Sequence, residues 1–269
     1  MILFTDLDGT LLTDTKELTP GNRKAIEEAL FAGHQIVIST GRPLCGAKNQ
    51  AEKLGLNGKG CYIICFNGGE IYDCWQKKSI YRQTLPLWQV RFVFDEAKKR
   101  GLAVQTYDSS SIYCEEDRIE FKNYSQIFQV PLKVVPDVLS HLTEEPCKVL
   151  VINESSRKML EQFRNELLPW ARGRMDLFFS CDKFLELVPL GVSKGHGMEL
   201  LCRHLGVSIK DTVAVGDAEN DGPMIQAAGT GAVMINGDVA TKALGDYITT
   251  RDNNHDGVAE VIEKFLLKK

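Results

Sequence analysis

A chain of 269 residues with 43% hydrophobic and 25% charged side chains holds enough material for one large or two ordinary globular domains. Its 32 basic residues against 36 acidic ones leave a net charge of -4, so there is no cationic excess to neutralise a nucleic-acid backbone. No apolar run approaches the roughly 20 residues that cross a bilayer, and Asp6 and Asp8 interrupt what would be the apolar stretch of a leader peptide. A cytoplasmic protein without nucleic-acid or membrane partners is the expectation.

In chain order, residues 2–5 read as a buried strand that ends in two carboxylates, Asp6 and Asp8, one residue apart. Like charges that close repel, and desolvating either is costly unless a positive group sits between them. Thr19-Pro20 then reads as an N-cap with proline in the first turn, opening a helix that Gly33 closes. "HQIVIST" is a second strand, 43–54 a second helix ended by Gly55, and "YIICF" a third strand. Short apolar runs alternating with helices indicate βαβ units and a parallel sheet covered on both faces.

The middle of the chain has another rhythm. Residues 87–100 read as a helix whose Trp88, Phe92 and Phe94 supply an inner face. "LAVQTY" and "SIYCEE" flank a turn at 108–111 as an antiparallel hairpin, "KVLVIN" is a strand, and 156–171 a helix. "RMDLFFS" and "KFLELVPL" flank a Cys181-Asp182 turn. From 193 the βα rhythm resumes: helix 193–205 stopped by Gly206, strand "TVAVGD", helix 221–228, strand "GAVMI" and the terminal helix "DGVAEVIEKFLL". The fold class that follows is α/β, a Rossmann-like doubly wound parallel sheet with an inserted α+β unit. The core comprises residues 1–83 and 189–269, and the insert 84–188. The eight cysteines form no CxxC pair, so buried free thiols are expected rather than zinc or disulfides.

Four polar clusters fall at ends of core elements, where open α/β sheets bind ligands: "DLDGT" (6–10), "STGR" (39–42), Lys194 and "GDAEND" (216–221). Each has an ordinary reading, since Asp-Gly makes turns, Ser and Asp cap helices, and a lone lysine is usually solvated. Together they supply the carboxylates, hydroxyl, ammonium and close-approach glycines that phosphoryl transfer needs. A phosphate monoester brings about two negative charges, which bare aspartates would repel, so a divalent cation is required. Hard oxygen donors without a His/Cys cluster favour Mg²⁺. Thr40 and Lys194 are placed to hold the transferring oxygens.

These four motifs in this order resemble those of the haloacid dehalogenase-like hydrolase superfamily, and the large insert between the second and third is similar to that of its Cof-type phosphatases. The resemblance covers essentially the whole chain. It implies Asp6 as the nucleophile that forms an aspartyl-phosphate, and Asp8 as general acid toward the leaving alcohol and then base toward water. It implies Mg²⁺ held by the Asp6 carboxylate, the Asp8 main-chain carbonyl and Asp217, supported by Asn220 and Asp221, with Thr40 and Lys194 on the phosphate. The insert would be a cap that reads the leaving group. Ala218, Gly222-Pro223 and the position of Asn236 in "VMINGD" depart from the family pattern. Arg42 and Asn67, at strand ends, are candidates for substrate contact, with helix capping and turn formation as the alternative. The function that follows is Mg²⁺-dependent hydrolysis of small-molecule phosphate monoesters, sugar phosphates foremost. A sugar phosphomutase or dedicated sugar-phosphate phosphatase is the alternative, and a non-catalytic phosphometabolite sensor a further one.

Overall fold

The structure is a computed structural model and describes residues 1–268. The chain opens with β1 (Ile2–Thr5), α1 (Pro20–Phe31), β2 (Gln35–Ser39), α2 (Leu44–Leu54), β3 (Cys61–Cys65), β4 (Glu70–Asp73) and β5 (Lys78–Arg82). Next come α3 (Leu87–Lys99), β6 (Ala103–Tyr107), β7 (Ile112–Cys114), α4 (Ile119–Phe128), β8 (Leu132–Val134) and α5 (Val138–His141). β9 (Val149–Ile152), α6 (Arg157–Ala171), β10 (Met175–Cys181) and β11 (Phe184–Pro189) follow. The last part holds α7 (Lys194–Leu205), β12 (Thr212–Gly216), α8 (Gly222–Ala227), β13 (Thr230–Val233), α9 (Val239–Lys242), β14 (Tyr247–Ile248) and α10 (Gly257–Val261).

Two sheets result. The first has eight strands in the order β14-β13-β12-β1-β2-β3-β4-β5, and the six from β14 to β3 form five parallel pairs. Alternation divides its side chains between two apolar layers. Leu3, Ile36, Ile38, Val213 and Val215 pack on the side of α1, α2 and α10, while Ile2, Phe4, Val37 and Ala214 pack against Met198, Leu201 and Met224 of α7 and α8. Local chemistry stops the helices where the sequence indicated. The Thr19 hydroxyl accepts from the Asn22 N–H at 3.3 Å, and Gly55 and Gly206 take left-handed caps.

The second sheet runs β10-β11-β9-β6-β7-β8, with the β6–β7 and β10–β11 hairpins antiparallel. One face, with Val104, Val149, Val151 and Leu187, is covered by Val93, Phe94, Leu160 and Phe163 of α3 and α6. The other carries Ala103, Tyr107, Leu150 and Ile152, which share one apolar cluster with the core and with Phe121 and Tyr124 of α4. That face overlooks the strand ends where the polar clusters lie.

Several expectations shift in detail. Phe94 is buried, but Phe92 is only partly so, stacked on Trp170 at 3.9 Å between ring centres, and Trp88 stands 57% exposed at the edge of that pair. The terminal helix widens after Val261 into a π turn over Ile262–Leu266. Six of the eight free thiols are buried; Cys45 is half-buried, and Cys181, on the β10–β11 turn, is exposed. Among the described residues no helix is long and apolar enough to cross a membrane.

Candidate active site

β12, β1 and β2 are parallel neighbours, so the segments that follow them emerge side by side. Asp6 follows β1, Thr40 follows β2, and Asp217 follows β12. Ser193 caps α7 by accepting from the His196 N–H at 3.1 Å, which places Lys194 in the first turn of that helix. Its Nζ donates to Asp6 Oδ1 at 2.6 Å and to Asp221 Oδ1 at 2.5 Å, with the side chain fully buried. The other Asp221 oxygen accepts the main-chain N–H groups of Asp217 and Ala218 at 2.9 and 3.1 Å. Asp221 therefore shapes the 216–221 turn as well as holding the lysine.

Asp217 is fixed by Thr10, whose hydroxyl donates to Oδ1 at 2.6 Å. Gly9, between the acid-bearing residues and Thr10, has φ +85°, and a Cβ built there would lie 2.6 Å from Asp217 Oδ2. Only glycine combines that backbone with so close a carboxylate. Asn236 closes the turn from outside, donating to the Gly9 carbonyl at 2.7 Å.

Asp8 has different surroundings. The Arg42 guanidinium donates to both its oxygens, Nε at 2.8 Å and Nη2 at 2.7 Å, and Lys16 Nζ lies 2.8 Å from Oδ1. Burial opposes the Asp8 charge, but these two cations outweigh it and hold its pKa down at about 2. For Asp6 the balance goes the other way. Burial is the largest influence, only partly offset by Lys194, and Asp221 and Asp8 add repulsion, raising the pKa from 3.8 to about 7. Asp217 is likewise pushed well up by burial and by Asp221 and Asp6. Burial disfavours the Lys194 charge, yet Asp221 and Asp6 overcome that and raise its pKa.

Asp6, Asp217 and Asp221 each bring an oxygen within 4.8 Å of the others, and the one ammonium among them, Lys194, bonds Asp6 and Asp221 alone. The cluster is thus short of positive charge, and its donors are all hard oxygens. A divalent cation of the Mg²⁺ kind fits that deficit.

The remaining polar groups form a cradle beside it. The Asn67 main-chain N–H donates to the Thr40 carbonyl, and the Phe66 N–H to the Arg42 carbonyl, each at 3.0 Å. Phe66 and Asn67 take positive φ values of 51° and 57°. The Asn67 side chain accepts from Asn220 Nδ2 at 2.9 Å, while its own Nδ2 is buried without a partner, a donor suited to an anion's oxygen. A cavity of about 330 Å³ opens over Asp6, Asp8, Thr40 and Asp217. Its far wall comes from α4 and the second sheet: Tyr124, Phe128 and Phe184, with Ser180 and Glu186 as polar points. Tyr124 and Phe128 are 4.4 Å apart between centres, and the Arg42 guanidinium lies 5.1 Å from the Phe128 ring centre.

Every residue singled out from the sequence is thus gathered around one cavity or the buried pair beneath it. Asp6, Asp8, Thr40, Arg42, Asp217 and Asn220 line the cavity. Lys194 and Asp221 lie beneath, bonded to each other, and Asn67 supports the cradle. Sequence reasoning missed Lys16, Thr10, Glu186 and the aromatic wall. Thr10 belongs to the first motif and was readable as a second-turn hydroxyl. Glu186, a lone acid inside the apolar alternation "FLELV", was the signal for a buried polar role. Lys16 gave no signal, because a lysine in a polar turn is ordinary.

The chain is similar to known proteins over nearly its whole length. A family model described as haloacid dehalogenase-like hydrolase matches residues 3–262. A Streptococcus pyogenes protein provisionally named as a phosphatase is 30% identical over 267 residues, covering 99% of this chain and 98% of its own. The 5-amino-6-(5-phospho-D-ribitylamino)uracil phosphatase YcsE of Bacillus subtilis is 29% identical, with 99% and 96% of the two chains aligned. A crystal structure of a haloacid dehalogenase-like hydrolase from Bacteroides thetaiotaomicron superposes with a TM-score of 0.88 at 32% identity, over 98% of each chain.

Proposed function

The chain belongs to the haloacid dehalogenase-like hydrolases and is a phosphatase, and on that premise we propose that it hydrolyses small phosphorylated metabolites, sugar phosphates foremost, through an Asp6 phosphoryl-enzyme with the help of Mg²⁺. The observation that carries this reading is the convergence of Asp6, Asp217, Asp221 and Lys194 in one buried cluster, although Lys194 stands 188 residues from Asp6 in the chain. Such assembly has no structural need, since each buried carboxylate adds repulsion that apolar side chains would avoid.

An Asp6 carboxylate oxygen attacks phosphorus opposite the leaving alcohol, and the bond to that alcohol breaks as Asp8 gives its oxygen a proton. Asp8 then takes a proton from water, whose oxygen attacks the same phosphorus and breaks the bond to Asp6, releasing orthophosphate. Before substrate arrives, Arg42 and Lys16 hold Asp8 ionised. A phosphate dianion offers both cations a competing acceptor, and Asp8 regains the ability to carry a proton as they turn to it. Thr40, the free Asn67 amide and Lys194 complete the anion cradle. Asp6, Asp217 and the Asp8 main-chain carbonyl would hold the ion, with Asn220 and Asp221 in support; when bound it supplies charge screening between carboxylates and phosphate.

Residues 84–188 act as a cap on a core of 1–83 and 189–269. Rings for the C–H face of a sugar, and Glu186 and Ser180 for its hydroxyls, support that leaving group. The name of the YcsE relative, a phosphate on a ribityl chain, agrees with it. Reduced thiols throughout accord with a cytoplasmic site of action. The test is phosphate release from sugar phosphates, nucleotides and an aryl phosphate, with Mg²⁺ or chelator, for wild type and Asp6→Asn. Metal-dependent release lost in folded Asp6→Asn is the expected result. Folded wild type that releases phosphate from no monoester, yet turns over when primed with a bisphosphorylated sugar, would replace hydrolysis with mutase chemistry.

A further inference from the structure

The second sheet turns one fully buried lysine toward the site. Lys148 directly precedes β9 and shares the alternation of Leu150 and Ile152. Leu150 is the register partner of both Gln105 and Glu186, so all of these leave the sheet on the face that overlooks the strand ends. The Lys148 side chain is 1% exposed, and its Nζ donates to Glu186 Oε2 at 2.8 Å and to the Gly41 carbonyl at 2.6 Å.

Gly41 lies between Thr40 and Arg42, and all three successive carbonyls of this turn are engaged. Thr40 and Arg42 are held from within the core by Asn67 and Phe66, whereas Gly41 is held from the second sheet by Lys148. Glu186 has its other oxygen on the Ser180 hydroxyl at 2.8 Å, and both residues line the cavity. A continuous path therefore runs from the cavity wall through Glu186 and Lys148 to the turn that presents Thr40 and Arg42. Packing alone does not explain it, because apolar residues of similar volume generally stabilise a buried layer at least as well as an ion pair.

We propose that Lys148 is a positioning residue: seating the second sheet over the core brings its ammonium to Gly41, sets the Thr40–Arg42 turn around the phosphate, and holds Glu186 toward a hydroxyl-bearing leaving group. This rests on the phosphatase reading above. The turn is then complete only when the second sheet is in place, so leaving-group contact and phosphate placement are coupled.

The test uses the full chain with Mg²⁺ and three variants, Lys148→Met, Glu186→Gln and the two combined, each checked by thermal melting. The combined variant leaves no unpaired buried charge and guards against simple misfolding. Three quantities are read: inhibition by inorganic phosphate, kcat and KM for a sugar phosphate against phenyl phosphate, and hydrogen exchange at the Phe66 and Asn67 amides. Lys148→Met and the combined variant are expected to weaken phosphate inhibition tenfold or more and to speed that exchange. Glu186→Gln is expected to leave phosphate inhibition within twofold while lowering kcat/KM for the sugar phosphate relative to phenyl phosphate. Folded Lys148→Met with phosphate inhibition and exchange both like wild type would overturn the proposal. Should wild type release no phosphate from any ester, the phosphatase reading falls, and exchange at Phe66 and Asn67 still decides whether Lys148 sets the turn.

Discussion

Replacing Lys194 by methionine keeps most of the volume of its stem and removes the single charge shared by Asp6 and Asp221, at 2.6 and 2.5 Å. Breaking a buried ion pair by deleting one partner costs about 3–5 kcal/mol, most of it from the charge left behind. For a chain of this size about 2–4 °C of melting temperature accompanies each kcal/mol, so a fall of roughly 6–20 °C is expected in chelator at pH 8. The loss must depend on pH. Burial already lifts Asp6 from 3.8 to about 7, and without the ammonium it rises further. A carboxyl whose folded pKa exceeds its unfolded one weakens the fold as pH climbs between the two values. At pH 5 Asp6 takes up a proton and the penalty shrinks, so the fall should be less than half that at pH 8. Adding Asp221→Asn, which keeps an acceptor for the Asp217 and Ala218 N–H groups, should return part of it. Calorimetric melts at the two pH values measure all of this. Equal losses at pH 5 and pH 8, or a loss under about 1 kcal/mol at pH 8, would refute the charge argument and leave Lys194 as packing.

Gly9→Ala puts a methyl group 2.6 Å from Asp217 Oδ2 at a φ of +85°, so about 1–3 kcal/mol of stability should be lost. The larger effect falls on Mg²⁺, whose affinity by titration calorimetry should drop at least tenfold; unchanged affinity would place Asp217 outside the ion's reach. Because Asp6 and Asp217 both sit above the usual carboxylate range, the ion must displace protons to bind. Mg²⁺ should therefore raise the melting temperature more at pH 8 than at pH 6, with proton release visible as a buffer-dependent binding enthalpy.

What could be read from the sequence was what lies contiguous in it. Asp6 and Asp8 share one short run, and Asp217, Asn220 and Asp221 another, so strand ends and spacing were enough to bring them together. Helices with a polar cap and a closing glycine were readable for the same reason. α4 was not, because Arg118 at its N-cap makes no side-chain cap and it stops in a left-handed Gln129. Its absence from the sequence reading hid Tyr124 and Phe128, and with them the aromatic wall. The clamp of Lys16 and Arg42 on Asp8 depends on how the loops after β1 and β2 meet, and the tie from Lys148 to Gly41 on how one sheet is set over the other; no local pattern encodes either.

β1 occupies the middle of its sheet between β2, which follows it closely, and β12, whose Thr212 is the register partner of Ile2. During synthesis the apolar edge of β1 must wait for that partner. Lys194, which neutralises Asp6, emerges 188 residues later, roughly 10–40 s at ribosomal speeds. Over that interval the second sheet, built from one continuous segment, can complete itself, while the nascent β1–β2–β3 layer keeps an unpaired edge and an unpaired carboxylate. An exposed apolar edge is a site for wrong pairing between chains. Asp6 keeps its charge at the end of that edge until Lys194 arrives, and a charge there works against such stacking.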